Sequence, residues 1–314
     1  MAQTTAAYRP VDGPFTIGAA TGVVLHDPGR HKDLRIRVQY PEAAGRFPVI
    51  LFSHGAGGSK DGYTGLTGFW AKHGYITIQP THADSLSLRG GGSLTEAQRL
   101  AAAAAVPELD DPSAWADRVR DLTFILDSFD EIASQVPQLA ARADLTKVGA
   151  GGHSFGACTT MLLGGAAVDI PNGPTGKSFA DGRPRALLVI SGQGKGRFGF
   201  TDRSWSTLTR PMMVMTGSKD LGYKGQSPDW RREPYRFSPS GDKYEVFIEG
   251  ATHMTFSGRP SEAGQEPESL FEYAKLSSLA FWDAYLKQSS AARVWLAADS
   301  LKRSSEGVAT VSHK

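Results

Sequence analysis

Apolar and polar positions recur along the chain in two periods, one typical of strands and one typical of helices. Short runs that are continuously apolar, or apolar at every second residue, predict strands. We expect strands over residues 15–24, 34–40, 47–52, 75–80, 147–151, 185–190, 211–216 and 243–248. Segments with helical spacing lie between these runs, which predicts an α/β fold: a mostly parallel central sheet with helices on both faces.

The pattern within each run indicates where its strand lies in the sheet. Residues 34–40 alternate in polarity, which predicts a half-exposed strand near an edge, with 15–24 as its hairpin partner. Residues 47–52 are continuously apolar and predict a strand buried on both faces. Residues 243–248 alternate as an edge-side strand would, and we expect the termini, where His313 lies in a polar tail, to be partly irregular.

Helices are expected over residues 66–73, from 111–113 to 129, over 157–167 and over 267–286. The second of these carries an apolar stripe at helical spacing, formed by Trp115, Val119, Leu122, Ile125, Leu126 and Phe129. Arg118 and Asp121 fall off this stripe or at its margins. The basic residues of the chain are scattered, and we expect them to be solvated on the surface.

The segment 85–112 is the least regular part of the sequence. It contains Gly90-Gly91-Gly92 and an alanine run over 101–105. We interpret it as a partly helical excursion over the carboxyl edge of the sheet, either a lid or pocket rim or a low-complexity surface segment. No linker or internal repeat divides the chain, so we expect a single domain over residues 1–314.

Composition and charge narrow the classes of function. The chain is 40% hydrophobic and 21% charged, and its net charge of +2 gives no electrostatic basis for binding nucleic acid. No segment is apolar enough to span a membrane, and residues 1–10 lack the features of a signal peptide. We expect a soluble protein, either cytoplasmic or secreted after loss of a signal. Cys158 is the single cysteine, so no intrachain disulfide forms, and we expect it to be a small buried helix residue.

The sequence Gly152-His153-Ser154-Phe155-Gly156 is the most informative feature of the chain. It lies between a predicted strand and a predicted helix. A serine on such a sharp turn exposes its hydroxyl, and flanking glycines are needed because the strand and helix pass too close for side chains. The pattern predicts a nucleophile elbow with Ser154 as the nucleophile.

A serine nucleophile needs a base, and the base needs an acid that orients it. Two histidines follow Ser154: His253 lies just past a strand, where the base is required, whereas His313 is the penultimate residue. Asp220 follows the strand 211–216 through a Gly-Ser turn, which aims a carboxylate over the sheet edge. We therefore predict Ser154, Asp220 and His253 as a catalytic triad. The weaker candidates for the acid are Asp181, Asp202 and Glu249.

The reaction also needs an oxyanion hole, which consists of two preplaced N–H donors. One donor is expected from Phe155, the residue after the nucleophile. The second comes from the loop that follows an earlier buried strand, here residues 53–58, and we predict the N–H of Ala56. This loop lacks the Lys-Ser/Thr pair that a phosphate-binding loop would have.

Three segments carry a resemblance to known proteins: His-Gly-Ala-Gly-Gly at 54–58, Ala-Lys-His-Gly-Tyr at 71–75, and Gly-His-Ser-Phe-Gly at 152–156. They are similar to bacterial α/β-hydrolases related to dienelactone hydrolase, and to platelet-activating-factor acetylhydrolases, chlorophyllases and bacterial cutinases. The similarity extends from about residue 47 to residue 256. It implies the α/β-hydrolase fold and an esterase with a Ser-His-Asp triad and no metal or organic cofactor.

The sequence departs from each of these groups. Dienelactone hydrolases have a cysteine nucleophile where this chain has Ser154, which argues against lactone chemistry. Plasma-type acetylhydrolases place the acid one strand earlier, but here residues 190–193 contain no carboxylate. Polyester-degrading cutinases usually have methionine after the serine and a disulfide near the C-terminus. This chain has Phe155 and one cysteine, which argues against a polymer substrate.

The resulting hypothesis is a serine carboxylesterase that hydrolyses small-molecule esters with short to medium acyl chains. An acyltransferase with the same acyl-enzyme and a polyester hydrolase are the alternatives within the enzyme class. A binding protein that retains the fold is the alternative outside it. Trp205, Trp230, Met254 and Phe256 either line the pocket or belong to ordinary packing.

Overall fold

A nine-stranded mixed sheet forms the centre of the computed structural model. The structure describes residues 8, 13–90, 96–222, 224–258 and 268–314. The strands are β1 (Ile17–Asp27), β2 (Lys32–Pro41), β3 (Phe47–Ser53), β4 (Ile76–Pro80), β5 (Ala143–His153), β6 (Pro184–Ile190), β7 (Met212–Lys219), β8 (Lys243–Thr252) and β9 (Ala309–His313). Their order across the sheet is β1-β2-β4-β3-β5-β6-β7-β8-β9.

The six central strands, β4 to β8 in that order, are parallel, and antiparallel pairs close both ends of the sheet. β1 and β2 form the predicted hairpin at one end. At the other end, β9 pairs with β8, which is therefore next to the edge as its alternating sequence predicted. The prediction of a mostly parallel sheet is confirmed.

Helices cover both faces of this sheet. They are α1 (Thr64–Lys72), α2 (Glu96–Ala104), α3 (Pro112–Asp127), α4 (Phe129–Gln135), α5 (Phe155–Gly164), α6 (Pro228–Arg231), α7 (Glu233–Phe237), α8 (Glu268–Tyr285), α9 (Ser290–Ala297) and α10 (Ser300–Ser304). The core lies in two layers. Val49 and Leu51 of β3 belong to the layer that includes α3 and α5, whereas Ile50 and Phe52 belong to the layer that includes α1 and α8. This alternation explains why β3 is apolar at every position from Phe47 to Phe52.

Local signals account for the boundaries of α3. The carboxylate of Asp111 accepts a hydrogen bond from the backbone N–H of Ser113 at 2.8 Å and caps the helix, and Pro112 occupies its first position. The predicted apolar stripe is buried. The helix ends at Asp127 with Ser128 as its C-cap, and Phe129 already belongs to α4.

The C-terminal prediction was wrong. His313 lies in β9 rather than in an irregular tail. The run Ala309–His313 has too few apolar residues to produce a recognisable strand pattern, and its backbone groups are satisfied by pairing with β8.

Some predicted features fall partly or wholly outside the described residues: residues 1–7, 9 and 10 of the N-terminal segment, Gly91 and Gly92 of the glycine run, and Pro267 at the start of the last long helix. The described part of 85–112 is partly helical, as expected, with 3-10 turns at Leu86–Arg89 and Pro107–Asp110 on either side of α2. Among the helices in the described residues, none is long and apolar enough to cross a membrane.

Candidate active site

A cavity of about 520 Å³ lies at the carboxyl ends of the parallel strands. Segments that directly follow β3, β5, β6, β7 and β8 all contribute to its wall. Open α/β sheets bind their ligands at this edge. Ala56, Ser154, Phe155 and His253 are among the residues that line the cavity, so it contains four of the five predicted site residues.

Ser154 occupies a strained turn between β5 and α5. Its backbone angles are φ 55° and ψ −119°, a region that L-residues rarely adopt. The flanking glycines are required because the backbones touch. A Cβ on Gly156 would lie 1.9 Å from the carbonyl oxygen of Ser53, and one on Gly152 would lie 2.2 Å from that of Gly156. This strand, turn and helix place Ser154 at the cavity wall.

Cys158 lies one turn further along α5 and is buried, as the sequence predicted. Burial raises the pKa of its thiol well above the usual range. The reactive thiolate is therefore disfavoured at this position.

His253 and Asp220 are hydrogen-bonded to each other. The Nδ1 atom of His253 lies 2.9 Å from Oδ1 of Asp220. The other carboxylate oxygen, Oδ2, accepts from the hydroxyls of Ser191 at 2.6 Å and Thr216 at 2.9 Å. The carboxylate is buried and has hydrogen-bond donors on both oxygens, so its orientation toward His253 is fixed.

Arg231 provides the positive charge beside this carboxylate. Its Nε atom lies 2.7 Å from Oδ1 of Asp220, and its guanidinium also donates to the carbonyl oxygens of Ser191 and Leu221, both at 2.7 Å. Burial alone would raise the pKa of the Asp220 carboxyl, but Arg231 and His253 outweigh burial and lower this pKa to about 2. The carboxylate is therefore ionised at neutral pH.

The imidazole of His253 is neutral in this environment. Its side chain is 28% exposed, and burial together with the charge of Arg231 lowers its pKa below 6.5, although Asp220 acts in the opposite direction. A neutral ring that donates from Nδ1 to a carboxylate has an unprotonated Nε2. That nitrogen can accept a proton, as a general base must.

His153 and Tyr63 connect the loop of His253 to the loop after β3. Burial is the largest cause that lowers the pKa of His153 well below 6.5, so its ring is neutral. Its Nε2 must donate to the carbonyl of His253 at 2.9 Å, which leaves Nδ1 as acceptor for the Tyr63 hydroxyl at 2.7 Å. The same tyrosine oxygen accepts from the N–H of Gly55 at 3.3 Å.

The loop after β3 contains a backbone N–H group, that of Ala56, without a partner among the described residues. Within it, the N–H of Gly55 binds Tyr63, that of Gly57 binds Asp84 at 3.0 Å, and that of Gly58 binds the carbonyl of Gly55 at 3.0 Å. In the described part of the chain, no carbonyl or side chain accepts from the N–H of Ala56.

The carbonyl of Gly55 explains where that N–H points. It accepts hydrogen bonds from Nδ1 of His54 at 2.6 Å and from Arg118 at 3.4 Å, both of which are buried beneath the loop. Because C=O and N–H point in opposite directions across a trans peptide, the N–H of Ala56 is turned away from these groups. Ala56 is also among the residues that line the cavity.

Arg118 organises the layer beneath the loop. It is 2% exposed, lies 2.9 Å from Asp84, donates to the carbonyl of His54 at 2.9 Å and stacks over the ring of Phe155 at 4.2 Å. The expectation that the basic residues are solvated is wrong for Arg118 and Arg231. Both are buried because carboxylates and backbone carbonyls satisfy their donors.

The position of Arg118 had a signal in the sequence, since it lies three residues after Trp115 and four before Leu122 on α3. Asp121 is also buried, against Lys32 and His82. Arg231 had no such signal, because α6 has only four residues.

The remaining candidates lie elsewhere. Asp181 pairs with Arg183, and Glu249 accepts from Ser218. Asp202 is exposed, and none of these three lines the cavity. Of the aromatic and methionine candidates, Trp230 and Met254 line the cavity, whereas Trp205 and Phe256 are buried in the core. In the part of the chain that the structure describes, no group of three or more His, Cys, Asp or Glu side chains is arranged to hold a metal ion.

The parallel core strands, the helices on both faces and the serine turn between β5 and α5 are those of the α/β-hydrolase fold. Residues 26–170, a little under half of the chain, match the family model described as Chlorophyllase, a family of α/β-hydrolase serine esterases. This match indicates an ester hydrolase of the α/β-hydrolase type. The matched segment contains Ala56 and Ser154 and ends before Asp220 and His253. No curated protein matches the chain.

Proposed function

We propose that this protein is a serine carboxylesterase that hydrolyses short- to medium-chain carboxylic esters through an acyl-enzyme on Ser154. The observation that carries the proposal is the hydrogen bond between Asp220 and His253, because this histidine lines the same cavity as a serine on a strained strand-to-helix turn. The family match over residues 26–170 supports the same class of reaction. The chain is proposed to act as one domain.

In the first half of the reaction, Ser154 Oγ attacks the ester carbonyl carbon while its proton passes to Nε2 of His253. Asp220 holds the ring in the required tautomer and stabilises the imidazolium that forms. The oxygen that becomes negative is bound by the N–H groups of Ala56 and Phe155. When this intermediate collapses, the C–O bond to the alcohol breaks, and the alcohol leaves with the proton from His253.

In the second half, a water molecule gives its proton to His253 and attacks the acyl carbon. The bond to Ser154 Oγ breaks, the serine recovers the proton, and the carboxylic acid is released. The cavity volume of about 520 Å³ accommodates a small ester. Its wall includes Leu109, Phe198 and Met254, which offer an apolar surface to an acyl chain.

The proposal is tested with p-nitrophenyl butyrate and a set of carboxylate variants. Asp220→Asn should lower kcat by about four orders of magnitude, because the histidine then adopts the wrong tautomer. Asp181→Asn, Asp202→Asn and Glu249→Gln are matched controls, since their side chains lie outside the cavity, and each should stay near wild type. An active Asp220→Asn together with an inactive control variant would assign the acid to a different strand.

A further inference from the structure

The side chain of Gln193 contains a polar atom that the proposed reaction leaves unused. Gln193 follows β6 and lines the same cavity as Ser154 and His253. The residue is only 7% exposed, and its Oε1 atom is fully buried and has no hydrogen-bond partner among the described residues. A buried amide oxygen without a partner is unfavourable, and each such group in a folded protein needs an explanation.

The backbone around Gln193 is held in place on both sides. Arg231 donates to the carbonyls of Ser191 at 2.7 Å and Gly192 at 3.3 Å. On the other side, the N–H of Lys195 donates to Glu233 at 2.7 Å, and its carbonyl accepts from the indole of Trp230 at 2.9 Å. Gln193 therefore belongs to a preorganised segment of the cavity wall, and its side-chain oxygen is not held by any hydrogen bond within the described residues.

We propose that Gln193 is a substrate-binding residue: its side-chain amide turns so that Oε1 faces the cavity and accepts a hydrogen bond from a hydroxyl or N–H group of the ester. This inference rests on the proposed esterase function. The substrate class is a carboxylic ester that carries such a donor on its acyl or its alcohol part. A small number of placed polar groups in an otherwise apolar pocket is the usual way in which a site fixes the orientation of its ligand.

Gln226 provides a matched comparison within the same cavity. It also lines the wall, but its Oε1 already accepts from the backbone N–H of Lys224 at 2.9 Å. Gln226 therefore has no unused acceptor of this kind to offer. Gln193→Leu and Gln226→Leu remove the same amide group from the same cavity, and only the first removes an unpartnered oxygen.

The test compares two sets of esters. In the first set, p-nitrophenyl esters carry a butyryl, 3-hydroxybutyryl or 3-methoxybutyryl group. In the second set, butyrate is esterified with propanol, 2-hydroxyethanol or 2-methoxyethanol. The readout is the ratio of kcat/KM for the hydroxyl ester to kcat/KM for the alkyl ester. Because both rates come from one enzyme preparation, the amount of folded protein cancels.

We expect the wild type to favour the hydroxyl ester in at least one set. Gln193→Leu should reduce that ratio by about threefold to tenfold, which is the effect of one neutral hydrogen bond, and Gln226→Leu should leave the ratio unchanged. If the leucine variant does not fold, Gln193→Met, which preserves the length of the side chain, is measured in its place.

The inference is overturned if the wild type shows no preference in either set, or if both variants change the ratio equally. It is also overturned if the methoxy ester matches the hydroxyl ester, because an ether cannot donate. A wild type that hydrolyses none of the six esters would instead refute the proposed esterase function.

Discussion

Replacing Arg118 by methionine removes the charge that holds the layer beneath the loop after β3. Methionine matches much of the volume of arginine, so the main change is electrostatic. The Asp84 carboxylate is then left buried without the guanidinium that lies 2.9 Å away in the native protein. The carbonyls of His54 and Gly55 and the hydroxyl of Ser53 also lose a donor.

The magnitude follows from the burial of both partners, each of which is 2% exposed. Breaking a buried ion pair by removing one partner costs about 3–5 kcal/mol, because an uncompensated charge remains. The free energy of unfolding of a domain is typically about 5–15 kcal/mol, so this loss is a large part of the total stability. Urea unfolding should show a much lower midpoint with a similar slope.

The double variant Arg118→Met/Asp84→Asn separates charge from packing. Its asparagine is neutral and can still accept from the N–H of Gly57, which donates to Asp84 in the native protein. The double variant should therefore be more stable than Arg118→Met alone. If the single variant loses less than about 1 kcal/mol, or if the double variant is no more stable, the assignment of a buried, charge-paired Arg118 is refuted.

Three further predictions concern pH and close packing. The acid limb of kcat/KM should have its midpoint below about 6.5, since burial and Arg231 lower the pKa of His253, and a midpoint at or above that value would contradict this. Burial and the charge of Arg118 lower the pKa of His54 to about 4 in the folded protein. Between this pH and about 6.5, His54 therefore binds a proton more readily in the unfolded chain than in the folded one. As the pH drops through this window, the protonation of His54 in the unfolded chain should therefore lower the free energy of unfolding by about 3 kcal/mol. Urea midpoints measured across this pH range test the prediction, and the midpoint of His54→Gln should depend less on pH than that of the wild type. Gly156→Ala should severely destabilise the fold because its Cβ would lie 1.9 Å from the Ser53 carbonyl oxygen, whereas Gly182→Ala, with open space around it, should unfold near the wild-type temperature.

The sheet was predictable because its central strands have a strong pattern. β3 is apolar at successive positions since both of its faces are buried, and β2 alternates since it lies near an edge. The serine turn was predictable because a tight strand-to-helix connection requires glycine at 152 and 156. β9 was missed because it is short and depends on its pairing with β8 for stability.

Part of the candidate site was predictable from the predicted strands. Asp220 and His253 each follow a strand, and parallel strands bring such residues to one edge. Helical spacing indicates the buried face for Arg118, but the partners of Arg118, Arg231 and Gln193 could not be assigned, because they come from other segments of the chain. Arg118, for example, contacts residues 34 and 64 positions away. Side-chain type alone indicated a solvated arginine, and only the three-dimensional arrangement shows what satisfies it.

The most direct measurement for the central claim is the reaction of the native protein with a fluorophosphonate, followed by peptide mass spectrometry. Our account predicts one adduct per chain, located on Ser154, and loss of ester hydrolysis in proportion to labelling. Ser154→Ala should fold, take up no label and lose several orders of magnitude in kcat. An adduct on Cys158, or continued hydrolysis by a fully folded Ser154→Ala variant, would contradict the assignment of Ser154 as the nucleophile.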